Sequence, residues 1–173
     1  MWQESKELKW HAIYVTVGQE EKAKKALKEV FKDDLKVLVP KRELKERKSG
    51  KYRIVHKKLF PGYIIIKGKL TKEAYYKIKK IPMLLNLLTG QEGPLEIQER
   101  ELAVLNILIR DEEIKISKAY KENDQIKIVE GPLLGMEGRI ESIDARKGRA
   151  KVSIDFLGTN KVVQLGIDVV EKI

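Results

Sequence analysis

The stretch Lys58-Leu59-Phe60-Pro61-Gly62-Tyr63-Ile64-Ile65-Ile66 is where the fold first becomes legible. The apolar run from Tyr63 to Ile66 has the pattern of a strand covered on both faces. Pro61 fixes φ at the entry to that strand, and Gly62 leaves room for close backbone approach. A turn this stiff is expected to hold Phe60 at a rigid rim, where an aromatic side chain makes a low-entropy anchor. Tyr63 is equally readable as core.

On the N-terminal side, Trp10 to Thr16 reads as a strand closed by Gly18. A helix follows in which Ala23, Leu27, Val30 and Phe31 share a face, with Glu20 and Glu21 in its first turn as the helix dipole prefers. Lys36 to Val39 is a short strand stopped by Pro40. Downstream, Thr71 is a plausible N-cap for a helix carrying Ala74, Tyr75 and Ile78 and ending near Ile81, because Pro82 cannot continue it. Leu84 to Leu88 is a further strand, and Ile97 to Arg110 is helical by period through Leu102, Leu105 and Ile109. The order implies an α+β class: a ferredoxin-like α/β sandwich of the split βαβ kind over residues 1–110.

Residues 111–120 are polar and without strong periodicity, which reads as a linker. From residue 121 to 173 the texture changes to five β-patterned runs, QIKIV, MEGRIESI, RAKVSIDF, KVVQL and DVVEKI, separated by glycine-bearing turns. Short, evenly spaced strands of this kind imply a small SH3-like β-barrel.

Charge divides the chain unevenly. Lysine and arginine number 36 against 26 acidic residues, a net +10. Nearly all of the excess lies before residue 113. Between Lys41 and Lys58 stand Lys41, Arg42, Lys45, Arg47, Lys48, Lys51, Arg53, Lys57 and Lys58, against only Glu43 and Glu46. Ser49-Gly50 marks the turn of a basic hairpin inserted into the sandwich. Such a concentration attracts phosphate-bearing partners and gives salt-dependent binding through counterion release. A solvated lysine-rich hairpin is the plainer reading, but uniform surface charging would not leave the two halves so different.

The same inventory excludes much. With no cysteine, there is no disulfide, thiolate metal site or cysteine nucleophile. His11 and His56 are the only imidazoles, so no metal site and no cofactor is expected. No P-loop, dinucleotide loop or G-x-S-x-G is present. Asp33-Asp34 and Glu112-Glu113 lie near helix ends, where capping or solvation accounts for them. The chain is therefore not expected to be an enzyme. Without an apolar run of about 20 residues or a secretory h-region, it is expected to be cytoplasmic, monomeric and without a membrane partner.

Two motifs in the right order carry a resemblance. Lys58-Leu59-Phe60-Pro61-Gly62-Tyr63, preceded by Trp10 and Gly18-Gln19-Glu20, is similar to the F-P-G-Y signature of the NusG transcription factors. Val129 to Ile140, followed by Val163-Gln164-Leu165 and the closing Val170-Glu171-Lys172, is similar to a KOW motif. The chain thus resembles the NusG family along nearly its whole length. The resemblance implies an N-terminal module that docks on the clamp of RNA polymerase through Trp10, Phe60, Pro61 and Tyr63, holding it closed and suppressing pausing and termination. It also implies that the KOW loop Phe156-Leu157-Gly158-Thr159 meets a ribosomal small-subunit protein or the Rho termination factor. Housekeeping members usually show I-F-G-R there, and N-T-P-G-V where this chain has Lys80-Ile81-Pro82-Met83-Leu84. Those departures and the basic hairpin favour a specialised paralogue, similar to the LoaP antiterminators and recruited by an RNA hairpin or other nucleic acid. The alternatives are a housekeeping NusG and a ribosomal or RNA-structural KOW protein.

Overall fold

The computed structural model describes residues 8–171 apart from 88, 91–92 and 95. In chain order the elements are β1 (Lys9–Val15), α1 (Glu20–Phe31), β2 (Leu35–Leu38), β3 (Lys41–Lys48), β4 (Lys51–Lys58), β5 (Tyr63–Gly68), α2 (Lys72–Lys79) and β6 (Leu84–Leu87). They continue with β7 (Thr89–Gly90), β8 (Gly93–Pro94), α3 (Glu99–Asp111), β9 (Glu113–Ile114), β10 (Ser117–Glu122), β11 (Gln125–Glu130), β12 (Ile140–Asp144), β13 (Arg149–Phe156) and β14 (Thr159–Glu171). Contacts gather these into two units: one runs to Pro40 and resumes from Phe60 to Leu102, and the other takes Lys41–Leu59 and the chain from Ala103 onward. The basic hairpin, inserted in the sequence of the first unit, therefore makes its contacts within the second. No described helix is long and apolar enough to cross a membrane. Leu88, Lys172 and the side chain of Ile109, used in the sequence reading, lie outside the described residues.

In the first unit, one sheet has the order β2-β5-β1-β6. Strands β1 and β5 run antiparallel, with Ile13 opposite Ile64 and Tyr14 opposite Tyr63. Because side chains alternate along a strand, Ile13, Val15, Val37, Ile64 and Ile66 point to one face, where they form a core with Ala23, Leu27 and Phe31 of α1 and Ala74 and Ile78 of α2. Ile65 points to the other face and is also fully buried, so β5 is covered on both sides as its composition implies. Burial of this kind contributes about 1.5–3 kcal/mol per large aliphatic side chain. Thr71 caps α2 by accepting a hydrogen bond from the Ala74 amide at 3.1 Å. The helical face expected of α1 holds except at Val30, which is exposed.

The second unit holds a five-stranded sheet in the order β11-β10-β14-β13-β12. The run KVVQL and the described part of DVVEKI, Asp168 to Glu171, expected as separate strands, belong to the single strand β14. Its first half pairs antiparallel with β13, from Phe156 opposite Thr159 to Arg149 opposite Gly166. Its second half pairs in parallel with β10, from Ser117 opposite Ile167 to Lys121 opposite Glu171. Changing partner at Gly166 curls the sheet, and the backbone crowds there: a Cβ on Gly166 would stand 2.5 Å from the Glu43 carbonyl oxygen. Along β13 the inward residues Ala150, Val152, Ile154 and Phe156 are all buried, while Lys151 faces out.

The linker expected at 111–120 is replaced by two strands. Strand β9 pairs in parallel with β3, Lys41 opposite Glu113 and Arg42 opposite Ile114, and gives the hairpin a third strand. Strand β10 buries Ser117 and Ala119, residues too small to register as apolar alternation in the sequence. Ser117 then bolts on the glycine-proline loop, its Oγ accepting from the Leu133 amide at 2.9 Å. Gly138 lies in a short 3-10 turn, and the register shift of β12 falls between Ile140 and Ser142.

These contacts separate two glycines of the same motif. Gly131 has φ +105° and a Cβ there would meet the Ser117 Cα at 2.7 Å, whereas nothing lies within 4 Å at Gly138. Gly131→Ala should destabilise by about 2 kcal/mol or more, and Gly138→Ala by no more than about 0.5 kcal/mol, in urea unfolding of the full chain.

Candidate partner and nucleic-acid surfaces

The F-P-G-Y turn is closed by the Tyr63 amide donating to the Phe60 carbonyl at 3.2 Å, and is tied to β1 by the Val15 amide on the Gly62 carbonyl at 2.9 Å. Gly62 has φ +86°, and a Cβ there would press on Val17 at 3.3 Å. The turn is tied down by these backbone contacts, but it presents different side chains from those expected. Phe60 is 4 % exposed and Trp10 7 % exposed, so neither stands at a free rim. Across from Trp10, the ammonium groups of Lys36 and Lys67 approach its ring at 5.9 and 5.3 Å. What faces solvent is Pro61, Val17 and the cross-strand pair Tyr14 and Tyr63, the last half-buried. The two tyrosine rings lie 4.8 Å apart between centroids, with the Tyr63 hydroxyl donating to that of Tyr14 at 3.3 Å. Tyr14 escaped the sequence reading, although pairing of the motif tyrosine with the first strand places it there.

In the hairpin, Lys41 to Lys48 pairs with Lys51 to Lys58 in full register, Lys48 opposite Lys51 beside the Ser49-Gly50 turn. Lys45, Arg47, Lys48, Lys51, Arg53 and Lys57 are exposed, while Lys41, Arg42 and Lys58 are half-buried. Burial, with Arg149 nearby, holds the Arg42 guanidinium below its usual value. Lys57 bridges Glu46 at 2.7 Å, a hydrogen bond that holds the Glu46 carboxyl below the usual carboxylate range. On the opposite face Tyr52, 60 % exposed, lies under Lys45 at 5.0 Å and Arg47 at 5.7 Å, with exposed Ile54 alongside. Cations thus alternate with an open aromatic surface.

At the hairpin base, Glu43, His56 and Glu113 converge with their ligand atoms within 4.8 Å of one another, a cluster that sequence spacing hides. His56 Nδ1 is bonded to Glu113. Lys115 supplies a positive charge in the same place, 3.1 Å from Glu43 and 3.6 Å from Glu113, and the bond to Glu43 raises its pKa. The cluster already holds its own cation, so it acts as a fastening between hairpin and β9.

In the KOW loop, Phe156 is 1 % exposed and belongs to the core of the curled sheet. Leu157 and Gly158 form a two-residue hairpin turn with φ +53° and +75°, the geometry for which Asn-Gly is the favoured sequence. A leucine there is strained, and it is half-buried while Gly158 and Thr159 are exposed.

The chain thus joins an α/β sandwich to a small curled β-sheet. A family model described as "Transcription termination factor nusG" matches residues 8–106. The chain belongs to the NusG family of transcription factors. The "Transcription termination/antitermination protein NusG" of Thermus thermophilus is 32 % identical over 181 residues, covering 95 % of this chain and 98 % of its own. That of Haemophilus influenzae is 29 % identical over 174 residues, covering 95 % and 94 %. In fold, a solved chain described as "Domain interaction in Thermotoga maritima NusG" matches with TM-score 0.59 at 24 % identity, covering 92 % of this chain and 94 % of that one.

The different burial of the motif aromatics is measurable. Phe60→Ala should cost about 3–5 kcal/mol in urea unfolding, the range for truncating a buried aromatic. Tyr63→Ala, at a half-open position, should cost clearly less.

Proposed function

We propose that this chain is a transcription elongation and antitermination factor that docks on the clamp of RNA polymerase through its first unit and is recruited by an RNA hairpin through its basic hairpin. The observation that carries the docking is the solvent-facing cluster of Tyr14, Pro61 and Tyr63 on a turn whose glycine and proline leave it little freedom. Rigid aromatic side chains lose little entropy on association, which is why such residues dominate protein interfaces. By holding the polymerase clamp closed, docking reduces pausing and termination.

Recruitment rests on the hairpin. Its cations lie on two antiparallel strands, an arrangement that can straddle the phosphates of an RNA stem. The arginines Arg47 and Arg53 add planar forks for bidentate contacts. Phosphate contacts of this kind position the protein, and base contacts would specify the RNA.

A second partner is favoured by the strain at Leu157. An apolar residue kept at positive φ on the tip of a turn costs of order 1–3 kcal/mol, a cost typical of functional positions. We assign it to contact with a further protein, Rho or a ribosomal small-subunit protein being the two expected from the resemblance.

Co-purification with RNA polymerase elongation complexes tests the docking: Tyr14→Ala with Tyr63→Ala should lose the association while the protein stays folded, and retention by the double variant would refute the assignment. For the hairpin, about five phosphate contacts would give a slope near −4 for log affinity against log salt, and Lys48→Gln with Lys51→Gln should flatten it by roughly 2. Leu157→Asn should raise stability by about 1 kcal/mol in urea unfolding and weaken capture of Rho or the ribosomal protein; unchanged capture of both would remove the role given to Leu157.

A further inference from the structure

Sequence placed the cationic surface on the hairpin alone, but the second unit contains a groove that the hairpin only half builds. Its volume is about 890 Å³. One wall is the outer edge of β3, beyond the two residues that pair with β9, with Tyr52 beside it. The other wall is the outward face of β12 and β13, the loop between them, and Gln164 of β14. Six cations line it, Lys45 and Arg47 from the hairpin and Arg146, Lys147, Arg149 and Lys151 from the sheet, against two carboxylates, Glu46 and Asp144.

Both carboxylates are engaged within the unit. Glu46 is held by Lys57 at 2.7 Å and approached by Arg149 at 3.9 Å. Asp144 accepts from the Lys147 amide at 2.9 Å and so closes the Asp144–Gly148 loop. Arg149 is also committed: its Nη1 donates to the Lys45 carbonyl at 2.9 Å and to the Lys147 carbonyl at 3.2 Å. It is a positioning residue that joins the two walls. Lys45, Arg47, Arg146, Lys147 and Lys151 remain exposed along the groove, and Tyr52 offers a ring that is 60 % exposed.

We propose that this groove binds single-stranded nucleic acid. Phosphates lie between the hairpin cations Lys45 and Arg47 and the sheet cations Arg146, Lys147 and Lys151, and a base stacks on Tyr52. A cationic channel that tracks the backbone beside an aromatic platform is the combination that single strands require, and a duplex hides the base faces that Tyr52 would meet. Ribose and deoxyribose strands share this chemistry. The inference rests on the reading of the hairpin as facing nucleic acid, and it is independent of polymerase docking.

The test is a fluorescence titration of the full chain at two salt concentrations against a labelled 12-nucleotide RNA, the same sequence as DNA, and a blunt RNA duplex. Tyr52→Ala should weaken binding of the single strand by roughly tenfold to a hundredfold, the worth of one stacked base, and leave the duplex unchanged. Tyr52→Phe should bind like the parent. Joint replacement Arg146→Gln, Lys147→Gln and Lys151→Gln touches only exposed side chains; it should keep the unfolding midpoint and flatten the single-strand salt slope by roughly 2. The tighter of RNA and DNA then names the natural strand. An unchanged slope in the triple variant, with hairpin variants still weakening binding, would overturn the composite groove and spare the hairpin reading. Equal loss of single strand and duplex in Tyr52→Ala, or no loss of either, would overturn the stacking. Should neither hairpin nor sheet variants alter any affinity, the nucleic-acid reading itself falls with the groove.

Discussion

One contact organises the second half of this molecule: the outer edge of strand β3 is taken up by groups far away in sequence. Glu113 and Ile114 pair with its first two residues, and the Arg149 guanidinium takes the Lys45 carbonyl further along. A free strand edge would expose a row of unpaired amides and carbonyls and invite pairing with another chain. Here β9 covers the start of the edge, and the exposed lysines and arginines beyond it discourage such pairing. The hairpin is therefore part of a folded unit with the curled sheet, and the direction of its charge is set by that unit.

Magnitudes show which contacts hold this arrangement. Glu43 with Lys115 and Glu46 with Lys57 form at 3.1 and 2.7 Å, and His56 joins Glu113, but exposed ion pairs are screened by water and contribute little. Burial of Leu44 and Ile114, exposed by only 3 % and 2 %, contributes about 1.5–3 kcal/mol apiece. Apolar burial and backbone pairing thus dominate. The shifts at Glu46 and Lys115 have the matching signs: Glu46 stays ionised to lower pH than an ordinary carboxyl, and Lys115 stays charged to higher pH than an ordinary amine. Both bridges therefore persist across the neutral range.

The sandwich was legible in the sequence because periodicity and turn chemistry agreed there, as with the apolar run after Gly62 and the Thr71 cap. Strand β10 was not, because its buried residues are Ser117 and Ala119, which carry almost no hydrophobic signal. Joining KVVQL to DVVEKI was hidden by Gly166, which reads as a break but serves close packing against Glu43. The polarity of the F-P-G-Y turn was misjudged at Phe60, since sequence fixes the rigidity of a turn and not which aromatic it turns inward. Tyr14 came into view only through its register opposite Tyr63. The sheet-side cations of the groove were overlooked for an electrostatic reason: residues 113–173 are nearly balanced in charge, and only folding sorts Arg146, Lys147 and Lys151 onto one face. Convergence of Glu43, His56 and Glu113 needed the third dimension outright.

These observations make the hairpin and the curled sheet one cooperative body with a shared cationic face. Native-state hydrogen exchange tests that most directly. The Lys41 amide, which donates to the Glu112 carbonyl at 3.2 Å, and the paired amides of β3 should open with the same free energy as those of β13 and β14. Hairpin amides that exchange at a free energy near zero while the sheet stays protected would contradict the account.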